Sequence, residues 1–388
     1  MNYTSNYQDG LLTIFLSGSI DSNNANECDG AINEIISQYK VQDLILDMEN
    51  IVYISSAGLR IILRLMKRFA KLQIINLSSE VYDIFDMTGF TNMVDCKKAY
   101  RKYDVSNCKI IGEGAKGVVY RYNDDTIIKV YKDKNALEKI EKERTLAKKA
   151  FILGVPTAIS YDVAKVGDSY ATVFELLDCK NMTEVMIAEP DKFEYYAKEY
   201  ARLLRTINDT ETNDKDIPRA KNILYGWLDL AKNALGSDLY PKMKELVDGI
   251  KDNNNLVHGD YHTKNIMIMN NEMLLIDMDT LSVGNRITEL AIVAFNFVTM
   301  NEFDNENSYK FIGINKEDAE RFYDIFLNTY FDGKSKEEIE EINKKMRLLS
   351  YLRVISHTAK RNPDSEHITQ AKQKIKDAIG GIKDLIIE

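Results

Sequence analysis

An Asp and an Asn five residues apart, set between apolar strands, can face one reaction centre. Leu256-Val257-His258-Gly259-Asp260-Tyr261-His262-Thr263-Lys264-Asn265-Ile266 has this pattern. Asp260 would orient or deprotonate an attacking hydroxyl, and Asn265 would bind Mg²⁺. Twelve residues after Asn265, Leu274-Leu275-Ile276-Asp277-Met278-Asp279 offers a second carboxylate after an apolar strand. Asp277 would bridge Mg²⁺ to phosphates, because that ion prefers hard oxygen ligands, and Asp279 would assist.

The partners of such a centre stand far upstream. Gly112-Glu113-Gly114-Ala115-Lys116-Gly117-Val118 fits GxGxxGxV, whose glycines let backbone N–H groups lie over phosphates. Alone, that pattern is also a plain β-turn. Lys129, seventeen residues after Gly112, sits among apolar strand residues and would pair the α- and β-phosphates of a nucleotide. A lysine in a strand is ordinarily just exposed. Glu141 and Glu143 follow in a Lys/Glu-rich segment, and one of them would hold Lys129; Glu143 has the better spacing. Each piece has an ordinary structural explanation. The ordered set of glycine loop, Lys, Glu, His-Gly-Asp, Asn and Asp points to phosphoryl transfer, which runs on positioning and charge neutralisation.

The elements that must place these residues can be read from pattern. A glycine-rich turn flanked by strands spans Ile110 to Tyr120, and strands cover Thr126 to Tyr131 and Tyr170 to Leu177. A helix is expected over Asn135 to Phe151. After Asp178 the pattern is mainly helical, except for a β-rich island between Leu256 and Ile276.

Residues 105–388 resemble the aminoglycoside phosphotransferase and choline kinase family. His258-Gly259-Asp260 and Asn265 match its catalytic loop, and Ile276-Asp277 its metal-binding segment. The resemblance implies an α+β bilobal protein-kinase-like fold, with an N-lobe over about 105–178 and a helical C-lobe over about 179–388. It implies ATP or GTP with Mg²⁺, and a small-molecule hydroxyl acceptor. Glu175 to Leu177 would be the hinge contacting adenine, and His258 would support its loop. Ile287-Thr288-Glu289-Leu290-Ala291 looks like the family's Asp-Leu-Ala segment, with Glu289 in place of Asp. The acceptor pocket would draw on helices after Asp191, with Tyr195, Tyr196, Tyr225, Trp227 and Tyr240 as candidates. Three features oppose a protein kinase. Gly259 stands where that family has Arg, Met278-Asp279 replaces Phe-Gly, and about ten residues separate Asp277 from the next helix, too few for an activation loop.

The first hundred residues read differently. A strand at Leu11 to Leu16, a helix capped by Asp21 and running to about Tyr39, and a strand at Leu44 to Leu46 come first. A helix follows with Leu59, Ile62, Leu63, Met66 and Ala70 at core spacing, then a strand at Gln73 to Asn76 and a short helix from Ser79 to Met87. This alternation predicts one small α/β domain over residues 1–104. Tyr53-Ile54-Ser55-Ser56-Ala57-Gly58-Leu59 places serines at a helix start, where either is a natural N-cap. This stretch resembles the STAS domain of anti-sigma factor antagonists. By that resemblance Ser56 is phosphorylatable, and an anti-sigma factor or a regulatory kinase is the expected partner. Arg60, Arg64, Lys67 and Lys71 would form a basic stripe on the same helix, either a solvated face or a docking surface.

Composition narrows the classes. The net charge of −9 opposes general nucleic-acid binding and would suit a cationic substrate. Cys28, Cys96, Cys108 and Cys179 form no CxxC pair, so reduced thiols and a cytoplasmic location are expected. No signal peptide is read at the start, and the apolar run from Leu290 to Met300 is too short to span a bilayer. Two alternatives to a small-molecule kinase are a nucleotide-sensing binding protein without catalysis, and a kinase that phosphorylates Ser56 in cis.

Overall fold

The computed structural model describes residues 2–114, 116–176, 179–269 and 272–387. It divides into two compact units, Met1–Asn107 with Val163–Ala171, and Cys108–Asp162 with Thr172–Glu388.

The first unit is built on a five-stranded sheet in the order β1-β2-β3-β4-β5. Its elements are β1 (Asn2–Gln8), β2 (Leu11–Ile20), α1 (Ala25–Ser37), β3 (Asp43–Ile54), α2 (Ser56–Arg68), β4 (Leu72–Leu77), α3 (Ser79–Met87) and β5 (Asp95–Lys98). Strands β2 to β5 are parallel, and β1 joins antiparallel through the two-residue turn Asp9-Gly10. Both turn residues have positive φ, 47° and 89°, the twist a tight hairpin needs. The pattern reading missed β1 because its polar residues face solvent along an edge. Leu12, Ile14 and Leu16 of β2 alternate into the core, and Leu44, Leu46 and Ile74 meet them.

Helix α2 departs from the expected stripe. Its buried residues are Gly58, Leu59, Ile61, Ile62 and Leu65, while Leu63 and Met66 are half-buried and Ala70 is exposed. The face is rotated because Gly58 lies against the sheet: a Cβ there would come within 2.6 Å of Ile54 and 2.7 Å of Ile20. Ser55 is the N-cap and accepts from the Gly58 N–H, so Ser56 is the exposed first helical residue. Lys71 lies beyond the end of α2 and pairs with Asp43, so it is not part of a stripe on that helix. Asp21 does not cap α1. Its carboxylate turns the chain by accepting from the N–H groups of Asn23 and Asn24, and Asn24 is the N-cap position.

The strand β6 (Arg101–Lys102) ends this stretch and pairs in parallel with β10 (Asp162–Val166). The second unit opens with an antiparallel meander, β7 (Lys109–Glu113), β8 (Gly117–Arg121) and β9 (Thr126–Tyr131). Helix α4 (Leu137–Ile152) follows β9, and β11 (Ser169–Glu175) follows β10. Next come β12 (Lys180–Asn181), α5 (Met182–Ala188), α6 (Phe193–Asp209) and α7 (Lys221–Asp248), which is broken at Gly236 by its φ of 72°. A cluster of short strands then forms the β-rich island. β13 (Leu256–Val257) pairs with β16 (Ser282–Val283), and β14 (Ile266–Met269) pairs with β15 (Glu272–Leu275) and with β12.

Helix α8 (Ile287–Ala294) runs into a π-helical turn over Phe295–Thr299. Every residue of both is buried, which accounts for the apolar run as core. Helices α9 (Asn307–Ile312), α10 (Lys316–Tyr330), α11 (Lys336–Ala359) and α12 (Glu366–Ile379) complete the unit. Two apolar clusters hold it together. One gathers Tyr200, Tyr261, Phe297 and Phe322 beneath the island, and the other gathers Trp227, Phe295, Leu348 and Leu352. No helix among the described residues is long and apolar enough to cross a membrane.

Candidate active site

The loop after β13 is fixed from below. Tyr261 O–H donates to the Tyr200 carbonyl at 2.8 Å, and Tyr200 O–H donates to the Tyr261 carbonyl at 3.1 Å, both buried. The His258 ring accepts at Nδ1 from the Asp260 N–H and donates from Nε2 to the Ile276 carbonyl, each at 3.3 Å. Those two partners put the ring proton on Nε2. Burial pulls the His258 pKa down, so the ring is a neutral brace.

Gly259 has a φ of 86°, and a Cβ there would approach the Thr280 carbonyl oxygen to 2.6 Å. No larger residue, Arg included, fits that conformation and contact. Its N–H donates to both carboxylate oxygens of Glu289, at 3.0 and 3.2 Å. Glu289 is fully buried, and burial pushes its pKa up to about 7 against the backbone N–H groups of Gly259, His258 and Tyr261. The extra methylene of Glu relative to Asp thus does not prevent bracing of the loop.

Asp260 stands on this frame with its carboxylate about one-third exposed, at 36%. His262 Nε2 lies 3.9 Å from Asp260 Oδ2, and burial lowers the His262 pKa to about 4. The Asn265 amide N–H₂ donates to the Asp260 carbonyl at 2.9 Å, which leaves its side-chain oxygen as the acceptor end. The Ile276 N–H donates to the Asn265 carbonyl at 3.0 Å and ties the two loops together.

Asp277 sits in the left-handed region, φ 61°, where few non-glycine residues are found. The turn aims its carboxylate at two lysines. Lys129 Nζ is 2.9 Å from Asp277 Oδ1 and 3.6 Å from Glu143 Oε1. Lys116 Nζ, from the glycine-rich loop, is 2.7 Å from Asp279 Oδ2 and 3.7 Å from Asp277 Oδ2. Burial works against the charge of Asp277, but Lys129 and Lys116 outweigh it and hold the carboxyl below its usual range. Burial also opposes the charge of Lys129, yet Asp277 and Glu143 raise its pKa. For Glu143 burial wins over Lys129, and its pKa is raised; Tyr131 O–H donates to its second oxygen at 3.3 Å. Glu141 instead pairs with Arg144.

The sites named from sequence are therefore brought together unevenly. Lys129, Glu143 and Asp277 are in direct contact, and Asp260 and Asn265 share one loop that is bonded to Ile276, the residue before Asp277. Of the glycines, only Gly117 is sterically required: a Cβ there would lie 2.4 Å from the Val130 carbonyl. Gly112 faces Val119 at ordinary distance and Gly114 faces open space. Glu175 ends β11 exposed, with Tyr161 as its side-chain partner, and Leu177 lies outside the described residues. Among the aromatic candidates, Tyr195 is exposed, Tyr196 bonds Glu189, Tyr225 bonds Asp248, Tyr240 lies beside Lys232, and Trp227 is buried. Sequence reasoning missed Lys116 and Thr280. Lys116 stood inside the glycine motif itself, and that position was the available signal.

Among the described residues, no three His, Cys, Asp or Glu side chains gather closely enough to hold a metal alone. The donor set suits a different arrangement. Asn265 and Asp277 offer hard oxygens, and Asp279 Oδ1 is buried without a hydrogen-bond partner. That set fits a Mg²⁺ ion shared with phosphate oxygens, since this ion is bound by few carboxylates plus substrate.

A small α/β domain ahead of a kinase-like α+β domain is the class this fold defines. The model of the phosphotransferase enzyme family matches residues 107–331, and that of the STAS domain matches residues 3–104. The chain belongs to the phosphotransferase enzyme family and carries a STAS domain at its N-terminal side. Its STAS part is 29% identical, over 97 residues, to BtrV of Bordetella bronchiseptica, a protein assigned as an anti-sigma factor antagonist; the match covers 24% of this chain and 83% of that one. An ADP-bound aminoglycoside phosphotransferase superposes with a TM-score of 0.48 at 12% identity, covering 78% of this chain and 99% of that one. A choline/ethanolamine kinase family protein from Mesorhizobium loti gives 0.42 at 13% identity, covering 72% and 89%.

Proposed function

We propose that the C-terminal domain transfers the terminal phosphoryl group of ATP or GTP, with Mg²⁺, to a hydroxyl of a small molecule. The observation that carries this reading is Lys129 held between Asp277 and Glu143, with Asp260 and Asn265 on the adjoining loop. In this reading Lys129 binds the α- and β-phosphates, and Glu143 fixes its direction. The backbone of the loop that includes Gly112, Gly114 and Gly117 lies over the phosphates, and Glu175 with Leu177 contacts the base. Asp260 accepts the proton of the acceptor hydroxyl, within a loop whose geometry His258 and Glu289 hold. Asn265 and Asp277 would hold the metal, which neutralises phosphate charge when bound.

The test is nucleotide turnover with a panel of hydroxyl acceptors. Asp260→Ala should lower turnover by several orders of magnitude while leaving thermal unfolding and nucleotide affinity in place. Wild-type rates in that variant would remove Asp260 from the mechanism. Nucleotide binding with no acceptor ever phosphorylated would favour a sensor without catalysis.

A second reading concerns the STAS domain, and the exposure of Ser56 at the first turn of α2 favours it. Phosphate there would gain from the positive helix end and add about two negative charges to an accessible surface. The partner would be an anti-sigma factor or a regulatory kinase. Mass spectrometry after incubation with ATP tests phosphorylation in cis, and a pull-down with Ser56→Asp tests partner release. An unmodified Ser56 under nucleotide-binding conditions would rule out the cis reaction.

A further inference from the structure

One charged side chain in the helical part of the second unit has no role in the reaction outlined above. Arg353, on α11, lies between two buried aromatic rings, with its guanidinium carbon 5.2 Å from the Trp227 ring centre and 4.8 Å from that of Phe295. Its Nε is buried with no hydrogen-bond partner, and its guanidinium makes no ion pair among the described residues. Burial pulls its pKa down, and the acidic groups whose charge reaches it are Asp260 and Glu289.

The location ties it to the catalytic loop. Phe295 continues the helical run that carries Glu289, which holds the Gly259 N–H. The next residue, Asn296, donates to the carbonyl of Tyr261, directly after Asp260, at 3.5 Å. One turn along α11, the His357 ring lies 5.5 Å from Phe295, and burial together with Arg361, Arg353 and Lys360 lowers its pKa to about 4.

Arg353 as a residue is half-buried, and withdrawing its Nε from water without a partner is costly; cation–π contact with two rings repays only part of that cost. The planar fork of an arginine matches a carboxylate or phosphate through paired N–H···O bonds. A ligand oxyanion would complete the site. Trp227 and Phe295 could otherwise receive a cationic headgroup, but the chain's own arginine already occupies them.

We propose that Arg353 binds a phosphate or carboxylate group of the acceptor, so that the hydroxyl phosphorylated belongs to an anionic small molecule. This rests on the phosphotransferase reading above. It also reverses the hint of a cationic substrate given by the net charge of −9. Surface charges beyond a Debye length are screened, whereas a guanidinium partly withdrawn from water is screened much less.

Calorimetry on the full chain, with Mg²⁺ and a non-hydrolysable ATP analogue and again without them, would measure binding of glycerol 3-phosphate, glycerate and choline. At least one anion should bind and choline should not, and the preferred anion tells phosphate from carboxylate recognition. Arg353→Met keeps the packing on both rings and should weaken anion binding about 10- to 100-fold. Arg353→Lys keeps the charge without the fork and should fall between. Choline binding, no binding of either anion, or unchanged anion affinity in Arg353→Met overturns the proposal. If Arg353→Met does not fold, unchanged affinity in Arg353→Lys does the same. Anion binding with no binding of the ATP analogue would leave the Arg353 site standing and count against the phosphotransferase reading instead.

Discussion

The N–H of Gly259 donates to both carboxylate oxygens of Glu289, thirty residues away in sequence and wholly buried. The loop that presents Asp260 is thereby anchored to α8. Glu289 titrates in the neutral range because burial raises its pKa to about 7. A carboxyl raised in the folded state binds its proton more tightly there than in the unfolded chain. Its contribution to stability is full below the unfolded value and is lost as pH rises through about 7. Unfolding free energies from urea titrations should therefore fall between pH 5 and 8 by an amount on the order of 3 kcal/mol from this group. Glu289→Gln should flatten that slope, although it lowers stability overall by turning an N–H₂ toward backbone donors. An unchanged slope in the variant would assign the pH dependence elsewhere.

Gly259→Ala should destabilise the protein by about 1–3 kcal/mol, since it adds a Cβ at a positive φ and against a carbonyl. The contact is with Thr280, whose side chain also donates to the His258 carbonyl at 2.8 Å, so turnover should fall with stability. Chemical denaturation and steady-state rates on one preparation would check both. A stable, active Gly259→Ala enzyme would contradict the steric account.

Lys129→Met should abolish nucleotide binding and also leave Asp277 and Glu143 facing each other without their shared cation. Removing one partner of a largely buried ion pair costs roughly 3–5 kcal/mol, an upper bound here because Asp277 is still about one-quarter exposed. Glu143→Gln in the Lys129→Met background should recover part of that loss. Thermal melts of the single and double variants decide whether the two sites couple.

Lys116 lies on the carboxylates that would accept a metal ion. Its ammonium and a divalent cation cannot both sit against Asp279 without mutual repulsion. Lys116→Gln should tighten Mn²⁺ binding to the nucleotide-free protein, measured by paramagnetic resonance. Weaker Mn²⁺ binding would show that the lysine positions the carboxylates rather than competing for them.

Gly58→Ala tests the first unit. The added methyl would meet Ile54 and Ile20 inside van der Waals distance, so α2 must lift from the sheet at a cost of about 1–3 kcal/mol. Denaturation monitored on the STAS domain should show the loss, and a neutral substitution would mean that α2 is loosely seated.

The amino-acid sequence by itself determined the order of elements and the chemistry they carry. Periodicity is local, so the glycine hairpin, the strand of Lys129, the helix of Glu143 and the loop from His258 to Asn265 were all legible in it. It also held Asp9-Gly10, a hairpin signal whose edge strand went unread because that strand buries little. Tertiary structure decided the pairings that cross long stretches of chain. Whether Glu141 or Glu143 meets Lys129, whether Glu289 reaches the Gly259 N–H, and that Lys116 reaches Asp279 all depend on how distant elements pack. Arg353 is the clearest case. In sequence it is one basic residue on a long helix, and only packing against Trp227 and Phe295 partly withdraws it from water and leaves its Nε without a partner. Burial and charge pairing are properties of the assembled chain, so no local pattern can encode them.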